Sequence, residues 1–352
     1  MPRLTRRRAF LFAVAAATVL AGVAHYAGAS DLLAFALATV ALAGMAWVVS
    51  DATEQLGRRF GPAATGLLQS TLGNLPEFFV VMFALGDGQV VVAQTSIIGS
   101  IFANALLVLG LVIVAGAWRA EGSCMRFRPR LPQDTATLLL VTTFLIVLIG
   151  LAVGSHDRAS HHVRAISTIG AVALLAVYVA WVIPYVRSGD GQHEPPAGDA
   201  PAPLGAALAL LAVAGAGSAF VSDWFVSALQ PTIEQLHLSQ AFAGLVIVAI
   251  AGNAVENATG VVLAWKGQSD LAISVVKNSV AQVAAFLFPV LVLVSLFFAT
   301  PLTFALAPVY IGALGLTAII VWQITGDGEA AMFEGWALVA LFVMLAVFTL
   351  YE

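Results

Sequence analysis

Gly73-Asn74-Leu75-Pro76-Glu77 and Gly252-Asn253-Ala254-Val255-Glu256 each set a carboxylate inside a long apolar stretch. In both, an Asn precedes the Glu by three residues, so the two side chains share a helix face. Almost every other acid falls in, or at the edge of, a polar break. An ionisable group at membrane depth is costly, and its default meaning is an ion or proton path. Two of them at matching places in two halves imply a carrier built from an internal repeat.

The rest of the chain agrees with a membrane setting. Apolar residues are 61% of the 352 positions and charged residues 10%, and the mean hydropathy is +0.97. A soluble domain of this length cannot hide so much apolar surface, so the chain belongs in lipid. Cys124 is the sole cysteine, which excludes an internal disulfide and a cysteine-based zinc cluster. The histidines His25, His156, His161, His162, His193 and His237 lie in or near polar breaks, not at helical ligand spacing. That argues against a His/Cys metal centre. Arg6-Arg7-Arg8 precedes an apolar run without a convincing cleavage site before Asp31, and the segment is expected to be a retained first span.

Apolar runs long enough for about 30 Å of hydrocarbon fall near 9–28, 31–50, 61–85, 90–117, 135–153, 165–186, 204–226, 238–265, 270–298, 303–324 and 332–350. An all-α protein of about eleven transmembrane helices is expected. With a cytoplasmic N-terminus, the inner segments carry Arg3, Arg6, Arg7, Arg8, Arg58, Arg59, Arg119, Arg126, Arg128, Arg130, Arg187 and Lys266, and the outer loops only Arg158 and Arg164. This asymmetry is a positive-inside signal and places the C-terminus outside. The high Ala and Gly content suggests a bacterial inner membrane.

A shift of 179 residues lays Gly73, Asn74 and Glu77 onto Gly252, Asn253 and Glu256, and Ser100 onto Ser279 (100 + 179 = 279). The two Glu-bearing spans are five crossings apart and so run in opposite directions. The expected organisation is an N-terminal helix (1–30), a first five-helix repeat (31–187), a linker rich in Gly, Pro and Asp (188–203), and a second, inverted repeat (204–352).

Gly73 and Pro76 weaken helical hydrogen bonding before Glu77, as Gly252 does before Glu256. Backbone carbonyls freed at membrane depth are tolerable only around a cavity or an ion. The following spans add oxygen from Ser96, Ser100 and Asn104, and from Asn278, Ser279 and Gln282. Carboxylates, amides, hydroxyls and carbonyls make a hard-oxygen cage suited to calcium or a similar cation. Ser, Asn and Gly in membrane helices most often serve close packing, and any one of these residues alone would be read that way. The two carboxylates reverse that reading. Asn257-Ala258-Thr259 matches a glycosylation sequon but sits inside an expected span, and Gly86-Asp87-Gly88 reads as a turn.

These motifs resemble the cation/proton exchanger branch of the calcium/cation antiporter superfamily. The first signature is Gly73 through Glu77, Ala84-Leu85, Gln94 through Asn104 and Leu107 through Gly110, with the lead-in Ala52 through Leu56 and Gly61-Pro62. The second is Gly252 through Glu256, Asp270 through Ile273 and Ser279 through Gln282. The resemblance implies eleven helices, one N-terminal helix plus two inverted five-helix repeats, with Glu77 and Glu256 binding cation or protons. It implies ligands from Asn74, Asn253, Ser100, Asn104, Ser279 and Gln282, with Ca2+ and H+ as the transported ions. Small cations and the lipid bilayer are the implied partners, with no cofactor, no enzymatic activity and no nucleic acid.

The departures are specific. Asn257 stands where the family carries His, which removes a group able to titrate near neutral pH. Asn278-Ser279-Val280-Ala281-Gln282 replaces a Gly-Ser-Ser-like stretch, and Lys277 stands where an apolar residue is usual. One reading of Lys277 is snorkelling to the inner interface or pairing with an acid at a span end. The other brings its ammonium to Glu256 or Glu77, weakening divalent binding. The chemistry favours competition: desolvation disfavours a bare carboxylate, and a bound cation favours it. Sodium-coupled or monovalent exchange is the nearest alternative. An intramembrane hydrolase with paired carboxylates is the remote one, and a channel fits inverted repeats with broken helices less well than a carrier.

Overall fold

The computed structural model describes residues 2–60, 72–120, 124–188 and 203–352, without the side chains of 2–6, 57–60, 130–132, 185–188 and 255–256. Its helices are α1 (Pro2–Tyr26), α2 (Asp31–Phe60), α3 (Leu75–Gly86), α4 (Val90–Arg119), α5 (Arg130–Gly154), α6 (Val163–Ser188), α7 (Leu204–Leu236), α8 (Gln240–Gly252), α9 (Ala254–Trp265), α10 (Ser269–Phe297), α11 (Pro308–Thr325) and α12 (Met332–Leu350). Helices α8 and α9 meet at a bend of 58°.

Among the described residues nine helices are long and apolar enough to cross a bilayer, or ten if α8 and α9 form one broken span. The expected count of eleven is not reproduced. The expected span 61–85 appears only as the twelve-residue α3, because residues 61–71 lie outside the described set. The expected linker 188–203 lies almost wholly outside it too. Two helices overrun their hydropathy-based ends. Helix α7 continues past 226 because Phe225, Leu229 and Ile233 keep one face buried while Gln230 and Glu234 turn outward. Helix α2 continues past 50 on buried Val49, Thr53 and Leu56.

Contacts between helix ends fix which ends lie together. At one end, β1 (Met125–Arg126) pairs antiparallel with β2 (Glu329–Ala330), and Arg126 meets Glu329 at 3.1 Å. The Arg128 N–H donates to Asp270 at 2.8 Å, and Gln133 Nε2 donates to the Gly326 carbonyl at 2.9 Å. At the opposite end, Arg164 reaches the Leu296 carbonyl, Ser239 donates to the Thr349 carbonyl, and Tyr310 to Glu352. Arg7 bonds Asp51 where α1 begins and α2 ends. His25, at the far end of α1, stacks on Trp224 of α7.

The repeat is visible in the backbone. Shifting by 179 carries α3 onto α9 at both bounds (75 + 179 = 254; 86 + 179 = 265) and the start of α4 onto the start of α10 (90 + 179 = 269). The caps agree: Asn74 has φ −93°, ψ 21° and Asn253 φ −104°, ψ 13°. Helix α4 widens into a π-helical turn at Ala103–Val108 and α10 into one at Val283–Leu287. Such turns interrupt the ordinary ladder and concentrate at functional sites.

Glycines let α4 approach its neighbours closely. A Cβ on Gly99 would lie 2.5 Å from the Leu245 Cα. One on Gly244 would lie 2.8 Å from the Val92 carbonyl and 3.0 Å from the Ser96 nitrogen. Gly110 and Gly335 face each other likewise, each added Cβ meeting the other's carbonyl at 2.6 and 2.7 Å. Small residues are the usual means of bringing backbones together in lipid.

Candidate functional site

Glu77 occupies the third position of α3, after the Asn74 cap, and is 2% exposed. The unpaired N–H groups of a first helical turn favour negative charge there. Pro76, at the second position, has no N–H to leave unpaired. Glu256 occupies the third position of α9, counted from the Asn253 cap. Its side chain lies outside the described residues.

The two breaks face each other. A Cβ on Gly252 would lie 3.8 Å from the Glu77 Cβ, so the second repeat's break is packed against the first repeat's carboxylate. From the other side α4 supplies amides and hydroxyls. Asn253 Nδ2 donates to Ser100 Oγ at 2.9 Å and to the Ala249 carbonyl at 2.9 Å. Asn104 Nδ2 donates to Asn253 Oδ1 at 3.2 Å and to the Ser100 carbonyl at 3.0 Å. Ser100 and Asn104 are fully buried. Glu77, Gly252, Asn253, Ser100 and Asn104 therefore converge, although 153 residues separate Asn253 from Ser100.

The remaining sequence-derived residues divide. Asn74, Ser279 and Gln282 are buried, the last two on α10, which packs along α4. Ser96 is fully buried but its hydroxyl donates to the Ala93 carbonyl of its own helix at 3.0 Å. It sits at the Gly244 crossing, so its observed role is packing. Asn278 is half-buried. Asn257 is half-buried, its N–H bonded to the Asn253 carbonyl at 3.0 Å.

Lys277 corrects one expectation. It does not snorkel: it is fully buried, and Nζ donates to Thr325 Oγ1 on α11 at 3.3 Å. Among the described residues it forms no ion pair. The hydroxyl of Thr325 donates to the Val321 carbonyl at 2.6 Å, so its oxygen is left to accept from the amine. Two residues before Ser279, Lys277 points about 200° round the helix from it. Lys277→Met should thus leave the apparent calcium KM within about twofold and keep or raise thermal stability, since replacing a buried polar contact by apolar packing is often neutral or better. Calcium uptake and thermal unfolding of the purified variant check this. A tenfold fall in KM, about 1.4 kcal/mol, would place the amine's charge at the cation site instead.

Two contacts had no signal in the sequence. Ser222 of α7 donates to the Pro76 carbonyl at 3.3 Å and so holds the turn that carries Glu77. Asp87, in the turn after α3, has its carboxyl pushed above the ordinary range, first by burial and then by the charge of Asp223 on α7. Gly86–Gly88 is a turn as expected, with Gly88 at φ +74°. Among the described residues no group of three or more His, Cys, Asp or Glu side chains forms a metal-binding cluster.

An inverted repeat whose broken helices meet around a buried carboxylate and an amide network defines a polytopic membrane protein of the carrier class. Residues 30–184 and 206–351 match the sodium/calcium exchanger protein family. The chain is 33% identical to the vacuolar calcium ion transporter of Schizosaccharomyces pombe, over 89% of this chain and 78% of that protein. It is 29% identical to a Ca2+/H+ antiporter of Synechocystis, over 93% of each. It also superposes on the crystal structure of the Ca2+/H+ antiporter protein YfkE with a TM-score of 0.81 at 27% identity, covering 98% of this chain and 100% of that one. The chain belongs to the sodium/calcium exchanger protein family, in its cation/proton exchanger branch.

Proposed function

We propose that the protein is a secondary active Ca2+/H+ antiporter in which Glu77 and Glu256 bind one cation or, alternately, protons. The observation that carries this is the meeting of the two half-sites, Gly252 against Glu77 and Asn253 against Ser100 and Asn104. Neutral, protonated carboxyls suit a dry interior, and a hard cation suits the same oxygens once they are ionised. The two occupants exclude each other, and alternating access converts that exclusion into coupling. Asn74, Ser279 and Gln282 complete the proposed ligand set, with Asn257 and Asn278 as modulators. The names of the relatives are those of transporters and exchangers, and the amides around the carboxylate suit ligation better than hydrolysis.

The basic end of the bundle, with Arg7, Arg119, Arg126, Arg128 and Lys266, is assigned to the cytoplasm, and the end with Arg158 and Arg164 to the outside. The proposed repeats are 31–187 and 204–352, preceded by the helix 1–30 and joined by the linker 188–203. The bacterial inner membrane is the proposed location.

Proteoliposomes loaded with acid buffer should take up calcium when diluted into alkaline buffer. Lowering pH on the ion-binding side should weaken apparent affinity, because protonated ligands bind metal poorly. Uptake that ignores the pH gradient and follows a sodium gradient would replace this reading with sodium coupling.

A further inference from the structure

The pseudo-symmetry of the site fails at one position. Asn253 uses every polar side-chain atom: Nδ2 bonds Ser100 Oγ and the Ala249 carbonyl, and Oδ1 accepts from Asn104. Asn74 is its repeat mate, with the same backbone kink. Yet Asn74 Nδ2 is buried with no hydrogen-bond partner among the described residues. The shift that carries Asn74 onto Asn253 carries Ser100 onto Ser279 and Asn104 onto Val283 (104 + 179 = 283). Positions 104 and 283 both lie in the π-helical turns of their spans. The serine is therefore repeated and the amide is not. Asn104 donates to Asn253 Oδ1, and an isopropyl group at 283 cannot donate to Asn74 Oδ1 in the same way. Gln282, one residue earlier, projects about 100° away round the helix, and no hydrogen bond joins it to Asn74.

An unmet buried amide N–H is unfavourable in a protein interior, and no side-chain hydrogen bond within the described residues holds Asn74 in one orientation. In the other half, Asn104 holds Asn253 while its own Oδ1 is buried without a partner among the described residues, which leaves one carbonyl oxygen presented at the site by an already ordered residue. Ordering ligands in advance lowers what binding must supply.

We propose that the two halves of the site have different duties: Asn104 is a positioning residue that locks the Asn253 half into a preformed cage, and Val283 leaves the Asn74 half free to turn toward or away from the cation. This rests on the antiport reading and assigns its adaptable side to the first repeat. Calcium tolerates variable coordination geometry, so one fixed and one adjustable half suit a site that must both bind and release it.

The test transplants the amide. Val283→Asn supplies a partner for Asn74 and should lower the apparent calcium KM several-fold while slowing maximal uptake in proteoliposomes. Val283→Thr, nearly isosteric, should shift both in the same directions to a smaller extent and covers the case where Asn does not assemble. Asn104→Val should raise KM at least tenfold in a protein that still elutes as a single folded species. The double variant Asn104→Val/Val283→Asn moves the lock to the other half and should recover part of that loss. Unchanged KM and rate in folded Val283→Asn and Val283→Thr would overturn the proposal, as would a double variant no better than Asn104→Val. Calorimetric calcium binding to the same proteins in detergent separates the two layers. If the parent protein binds calcium without exchanging it for protons, the antiport reading fails, while the order of affinities still judges the asymmetry.

Discussion

Glu77→Gln and Glu256→Gln should each reduce cation/proton exchange to the level of empty liposomes while the protein inserts and folds as before. Gln keeps the length and one carbonyl oxygen but loses both the charge that draws a divalent cation and the proton that leaves in exchange. Glu77 is buried with the break at Gly252 packed on its Cβ, so no neighbouring water shell can replace the lost carboxylate. Folding should not suffer, because a neutral amide is easier to bury than a carboxylate. Thermal unfolding in detergent should therefore place each variant at or above the parent. Calcium uptake at the parent's rate by either variant, measured in proteoliposomes under an imposed pH gradient, would remove the carboxylates from the mechanism.

The second large effect is expected at the helix crossing that supports the site. Gly99→Ala and Gly244→Ala each put a methyl group against backbone: the Leu245 Cα at 2.5 Å in the first case, the Val92 carbonyl at 2.8 Å in the second. Backbone cannot swing aside as a side chain does, so α4 and α8 must separate. Overpacking of this kind costs about 1–3 kcal/mol, and here it also pulls Ser100, one residue beyond Gly99, away from Asn253. Both variants should unfold at lower temperature and lose most calcium uptake. Gly86→Ala is the control, since its added Cβ meets only the Phe298 ring at 3.7 Å and should change neither readout. Parent-like melting and uptake in Gly99→Ala would show that the crossing yields more readily than its geometry implies.

Much of the site was legible because its chemistry is forbidden elsewhere. A carboxylate in an apolar run needs a reason, and the Asn three residues before it needs the same one. The polar row on the following span was legible as well, and Ser100 and Asn104 do meet Asn253. What stayed hidden depends on which helix faces which. The Ser222 contact with Pro76 joins residues 146 apart and the Lys277 contact with Thr325 residues 48 apart. Each involves a Ser or Thr of the kind that usually bonds its own helix in lipid. Nothing in the sequence buried the tip of Lys277; only tertiary packing against Thr325 does so. The π-helical turns were equally silent, for no residue type marks where an extra residue enters a helical turn. Hydropathy also misplaced the ends of α2 and α7, where a buried stripe carries the helix on after average polarity has risen.

The short β-clasp has a bearing on how the chain is made. Arg126 and Glu329 are 203 residues apart (329 − 126 = 203), so during synthesis the first strand is complete long before its partner exists. Contacts between distant segments wait on the intervening chain, and domains made from the N-terminus onward cannot borrow what has not been translated. The connection between α4 and α5 must therefore pass through a stage with its strand edge open at the basic face of the membrane. Closure of the clasp becomes one of the final events of biogenesis, after eleven of the twelve helical segments named here have been synthesised, and it joins the early half of the polypeptide to the late one.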